Sequence, residues 1–170
     1  MKVILYLATS INGYITRNEN DSDWVSEVDW TEFSKLKKEC GVMIMGSNTY
    51  TQFADDFPQE DALNIVMTHN PELLAKKIDG ALFTDKSPKE VIGFAKEKGF
   101  SQLMLIGGMK LVTSFMKENL IDEIWLSIHP LFIGQGLSVT EKIDFMKELE
   151  YLGSKELDKG LLQVRYKVRK

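Results

Sequence analysis

Two adjacent glycines, Gly107 and Gly108, end an apolar run from Leu103 and open a helix-like segment that leads through Leu120-Ile121-Asp122-Glu123 into a second apolar strand. Glycine lacks a Cβ, so a diglycine at a strand end lets a ligand approach the main chain closely. The helix behind it offers free N–H groups and a partial positive charge. Together these suit a phosphate or pyrophosphate, although a Gly-Gly pair also makes ordinary turns. Strand, Gly-Gly, helix and strand in that order point to a nucleotide site in an α/β sheet.

Such a site needs a sheet to carry it, and 170 residues are enough for one domain with a sizeable core. The expectation is a single domain over residues 1–170. The chain is 44% hydrophobic and 27% charged, with net charge -4, which is ordinary for a globular protein and argues against a nucleic-acid scaffold. No apolar run approaches the length of a membrane span. The N-terminal run from Met1 to Thr16 reads as a buried first strand in preference to a signal peptide. One cysteine, Cys40, excludes an internal disulfide and the Cys clusters of structural zinc. With two separated histidines, no metal site is expected. These features place the protein in the cytoplasm, with no membrane partner.

The elements follow from patterning. Val3 to Ala8 reads as a buried strand, followed by a turn at Asn12-Gly13 and a loop to Asp23. Glu27 to Glu39 has Val28, Phe33 and Leu36 at near-helical spacing, acids early and lysines late. Val42 to Met45, Leu63 to Met67, Ala81 to Phe83, Leu103 to Ile106 and Glu123 to His129 read as strands. Ser47 is expected to cap a short helix through Phe53. Ser87-Pro88-Lys89-Glu90 is a capping-box start for a helix to about Lys98, and Val112 to Lys117 lies in another. Glu150 to Leu157 and Leu161 to Arg169 alternate around Asp158-Lys159-Gly160, an antiparallel hairpin. The pattern implies one mixed, mostly parallel sheet with helices on its faces.

The ordered set SINGYIT (Ser10 to Thr16), MIMGSNTY (Met43 to Tyr50), NIVMT (Asn64 to Thr68), LIGG and LIDEIWLSIHPLFIGQG resembles the dihydrofolate reductase fold. It is most similar to the C-terminal reductase domain of the bacterial riboflavin-biosynthesis deaminase/reductase and its free-standing relatives. That resemblance implies an α/β, three-layer architecture and NADPH as cofactor. It places the pyrophosphate near Gly46, Ser47 and Thr49, the adenosine 2′-phosphate near Thr68 and His69, and a third contact at Gly107, Gly108 and Lys110. Ser47 stands where dihydrofolate reductases often carry Arg, and Lys110 replaces part of that charge. Ser47 is equally readable as a helix cap, and His69 as a turn residue before Asn70-Pro71.

On the substrate side, the resemblance implies an acid five residues after a Trp and four before an aromatic. Trp24, Asp29 and Phe33 have those spacings, and Ser127 matches a hydroxyl residue that supports the acid. A carboxylate there accepts hydrogen bonds from an amidine-like heterocycle. Asp29 also fits a plain complement to its helix N-terminus, with Glu27 and Glu32 as competitors. Ala62 stands where folate enzymes carry a tail-binding Arg, which argues against dihydrofolate. Arg17 is the one early arginine that a ribose phosphate could use, and it also reads as a solvated loop residue. Trp24, Trp30 and Trp125 read as core or pocket wall, His129 as a strand end, and Cys40 as core.

The reading that results is an NADPH-dependent reductase acting on a C=N or C=O bond of a small pterin- or aminopyrimidine-like heterocycle. The alternative is a non-catalytic nucleotide-binding or assembly protein of the same fold. A homodimer is expected from the resemblance and from the apolar Leu131-Phe132-Ile133 stretch.

Overall fold

A computed structural model describes all residues, 1–170. Eight strands form one sheet: β1 (Lys2–Ser10), β2 (Val42–Gly46), β3 (Leu63–Met67), β4 (Ala81–Thr84), β5 (Gln102–Leu105), β6 (Glu123–His129), β7 (Leu149–Asp158) and β8 (Leu161–Val168). Their spatial order is β4-β3-β2-β5-β1-β6-β8-β7. β1 to β6 run parallel, β8 lies antiparallel to β6, and β7 pairs antiparallel with β8. The helices are α1 (Glu27–Cys40), α2 (Ser47–Gln52), α3 (Pro71–Leu74), α4 (Pro88–Glu97) and α5 (Met109–Lys117). None is long and apolar enough to cross a membrane.

The two faces of the sheet bury separate cores. Val3, Leu5 and Leu7 of β1 join Val91 and Ala95 of α4 and Val112 and Phe115 of α5. Ile4 and Tyr6, one residue out of step, join Phe33, Leu36 and Cys40 of α1. The period of two in a strand produces this division. The same rule sets Trp125, Ser127 and His129 of β6 on one face, opposite Arg165 and Gln163 of β8 for the first two. Tyr6 therefore faces α1, not α5.

Local signals explain the helix positions. Ser26 caps α1 by accepting from Asp29 N–H at 3.3 Å, and Gly41 ends it in the left-handed region. Ser87 and Glu90 form the expected capping box of α4. Ser47 does not cap α2. It occupies the first helical position, while Gly46 is the cap residue and supplies no side-chain bond. Asn70 caps a short helix, α3, that the sequence reading leaves as a turn.

The loop after β1 is tied down by the segment before β7. Ile15 N–H donates to Leu137 O at 2.8 Å and Asn18 N–H to Gln135 O at 2.9 Å. At Gly136 a Cβ would lie 1.8 Å from Thr16 O. That contact is between main chains, so no side chain can move aside. Gly136→Ala is therefore expected to destabilise the protein by about 2 kcal/mol or more, and to loosen the loop from Ile15 to Ser22. Urea unfolding with proteolysis of residues 11–23 checks it; an unchanged midpoint would contradict the close approach.

Candidate active site

A cavity of about 1440 Å³ opens along the carboxyl ends of β1 to β5. Ligands of open parallel sheets bind at this end, where the strand order changes direction. Of the residues expected from the sequence, it is lined by Asp29 and Phe33 at one end and by Gly46, Ser47, Thr49, Thr68, His69, Gly108 and Lys110 toward the other. Trp24, Ser127 and Gly107 do not line it. Tyr6, Trp30 and the Thr84-Asp85-Lys86 turn line it as well; none of these was singled out as a binding residue from sequence.

The end of the cavity beside Gly46 and Gly108 is built from main chain. Gly46 N–H donates to Gly107 O at 2.8 Å, which clamps the end of β2 to the turn after β5. Gly107 has φ +108, which a side-chain-bearing residue rarely adopts. It is buried, so it shapes the turn while Gly108 faces the cavity. Gly108 is the cap residue of α5 and has no side chain to satisfy the first N–H groups of that nine-residue helix. These groups remain free for an anion. Lys86 and Lys110 stand at the rim, exposed and outside every ion pair of the structure. Thr68 Oγ1 accepts from Asn70 N–H at 3.1 Å and Thr84 Oγ1 from Lys86 N–H at 3.2 Å. These bonds order the turns that carry His69 and Lys86. Arg17 is instead held by Asp21 at 2.5 Å.

The acid end is built from side chains. Asp29 is only 1% exposed. The Tyr6 hydroxyl donates to its Oδ1. Because Tyr6 has one proton, the Ser127 hydroxyl at 3.2 Å must donate to Tyr6. Ser127, expected on the substrate side as a support of the acid, reaches it through Tyr6 and is fully buried. Asp29 Oδ2 has no hydrogen-bond partner. His129 Nε2 lies 3.9 Å from it. That nitrogen accepts from Ser26 N–H at 3.2 Å, and Nδ1 lies 3.2 Å from Ser127 O. The tautomer assigned from these partners carries its proton on Nδ1 and has none to give Asp29. Trp24, expected beside the substrate, packs edge-on against His129 with ring centroids 5.1 Å apart. It acts on the acid's surroundings from behind.

Comparison with known proteins agrees with this architecture. The model of the RibD C-terminal domain family matches residues 1–163, and the chain belongs to that family. It is 25% identical over 171 residues to the uncharacterized protein YwjB of Bacillus subtilis, covering 97% of each chain. Acinetobacter baumannii RibD superposes with a TM-score of 0.81 at 18% identity, over 99% of this chain and 58% of that one. A dihydrofolate reductase of Enterococcus faecalis, solved with NADP(H), superposes with a TM-score of 0.77 at 18% identity, over 99% and 97%. The fold is thus shared by RibD and dihydrofolate reductase.

Burial, then the charge and hydrogen bond of Asp29, push the Tyr6 hydroxyl well above the ordinary tyrosine value of 10.0. The folded protein keeps this proton where the unfolded chain has released it. The contribution of Tyr6 to stability is whole below that value and is lost as pH rises above it. Stability should therefore fall more steeply above about pH 10 in the native protein than in Tyr6→Phe, by up to about 1.4 kcal/mol per pH unit. Urea midpoints across that range decide it; parallel curves for the two proteins would contradict the assignment.

Proposed function

We propose that this member of the RibD C-terminal domain family is a reductase that uses NADPH to reduce a C=N or C=O bond of a small heterocycle. The observation that carries the reading is the partnerless Oδ2 of Asp29, buried in the wall of a cavity that runs on to an uncapped helix N-terminus. A buried acceptor without a partner is costly in a finished protein, and a ligand N–H supplies what it lacks.

The residues present fit the cofactor. The free N–H groups of α5 and the glycine main chain at Gly46 and Gly108 would hold the pyrophosphate. Thr68, His69, Lys86 and Lys110 would hold the 2′-phosphate end. When bound, the nicotinamide supplies the hydride. The protein's own part is placement and charge. Asp29 orients the heterocycle and favours a protonated or N–H-bearing form at the reacting ring. Tyr6 fixes the carboxylate, and Trp30 and Phe33 wall the pocket against water. Ala62 leaves no arginine for a glutamyl tail, so dihydrofolate is not the proposed substrate.

NADPH should bind more tightly than NADH, and Lys110→Ala should narrow that gap. With a panel of pterins and aminopyrimidines, Asp29→Asn should lower turnover by about a hundredfold or more with NADPH affinity retained. Calorimetry and the loss of nicotinamide absorbance measure both. Binding without oxidation across the panel would favour the assembly-protein alternative, and equal affinity for the two cofactors would sink the phosphate assignment.

The same reading includes a homodimer. Ile11, Leu131 and Phe132 are 61%, 37% and 77% exposed and adjoin through the Ile11 N–H to Leu131 O bond of 3.0 Å. An exposed apolar corner of this kind suits a self-complementary contact. Sedimentation equilibrium at micromolar concentration should give twice the 19.4 kDa chain mass, and Phe132→Glu should return it to one.

A further inference from the structure

The carboxylate at the acid end is half occupied before any ligand arrives. Tyr6 donates to Oδ1, and its hydroxyl also sits 3.3 Å from the main-chain oxygen of Asp29. Both residues line the cavity, and both are buried. Burial and the Asp29 charge keep Tyr6 protonated, so the donor is permanent in the working range. The phenol is anchored from behind by Ser127. Oδ2 is left with no donor, because the ring nitrogen of His129 that faces it is an acceptor already satisfied by Ser26.

The chemistry of ligand recognition follows from that asymmetry. An amidine edge, as in a 2,4-diaminopyrimidine, presents two parallel N–H groups and takes both oxygens of a carboxylate. With Oδ1 held by the phenol, that paired mode requires Oδ1 to accept twice or Tyr6 to leave. A lone ring N–H requires Oδ2 only. We propose that Tyr6 is the specificity-determining residue of this end of the cavity: it reserves Oδ1, so that Asp29 reads a single N–H donor and the paired amidine edge is disfavoured. The inference rests on the reading of this cavity as a substrate site and narrows it. The amidine-like ligand that the sequence suggests is replaced by one with a lone donor.

The test is calorimetric and needs no turnover. The full chain, Tyr6→Phe and the double variant Tyr6→Phe/Asp29→Asn are titrated with a matched pair of probes carrying the same aryl group, a 2,4-diaminopyrimidine and a pyrimidin-4-one. The native chain is expected to bind the pyrimidinone at least as tightly. Tyr6→Phe should shift the ratio toward the diaminopyrimidine by about tenfold or more, the worth of one hydrogen bond to a charged group. The double variant should lose the shift. A native preference for the diaminopyrimidine, an unchanged ratio in Tyr6→Phe, or no binding of either probe to the native chain would overturn the proposal. The native ratio stands even where the variant fails to fold. Failure of NADPH to bind would overturn the reductase reading instead, and leaves this ratio readable.

Discussion

A carboxylate that has left water and found only one protein donor governs the α1 side of this molecule. Burying an ionised acid costs several kcal/mol. The bond from Tyr6 returns about 1.5–3 kcal/mol, and the place of Asp29 in the first turn of α1 returns up to about 1 kcal/mol. No protein group bonds Oδ2, yet the acid is held in the cavity wall. It stays because its surroundings are fixed independently. Ser26 sets the start of α1, and Phe33, Leu36 and Cys40 lock the helix to the sheet. A side chain held against its own solvation preference is what a binding site needs.

The parallel sheet lets one cavity be walled by main chain at one end and by side chains at the other. Main-chain ends of β2 and β5 converge at Gly46, Gly107 and Gly108, and no side chain intervenes. Two positions along the strand order, β1 and β6 bring Tyr6 and Ser127 together, although 121 residues separate them in the chain. The antiparallel hairpin then covers the far side of β6. It brings Gln163, itself 1% exposed, and Arg165, whose guanidinium lies 3.6 Å over the Trp125 ring. The loop pinned at Gly136 closes the cavity beside Ile15 and Thr16. Position, not flexibility, accounts for each wall.

Much of the fold was legible because its signals are local. The capping box at Ser87, the left-handed glycine after α1 and the turn at Asp158-Lys159-Gly160 each depend on neighbours within four residues. The glycine turn between β5 and α5 was legible for the same reason, since strand, glycine pair and helix follow one another in the chain. The acid end was not. Tyr6 lies in a strand buried on both faces, so its apolar neighbours hide the alternation that aims it at Asp29. His129 looked like a strand end before Pro130, and its proximity to Asp29 depends on β6 lying beside β1. Ser127 was matched to the right neighbourhood, but the intervening phenol changes its partner. Long-range pairing decides all three, and no local pattern carries it.

Charge completes the division of the cavity. The protein carries net charge -4, and most of its exposed lysines near acids are committed: Lys2 to Glu123, Lys35 to Glu32, Lys89 to Glu118, Lys170 to Asp122. Each such surface pair contributes little to stability, but it cancels a field. Lys86 and Lys110 form no ion pair at one end, where Asp85 and Glu90 also line the wall. Glu90, in the same wall, is bound to the Ser87 hydroxyl and N–H, which hold its carboxyl below the usual range. At the other end sits Asp29, buried, with one oxygen that no protein group bonds. In the proposed reductase, lysines at one end of the cavity and a carboxylate at the other would set the direction in which a phosphate-bearing cofactor and an N–H-bearing ring enter together. The opposite arrangement would set phosphate against carboxylate across a low-dielectric wall, where repulsion is least screened.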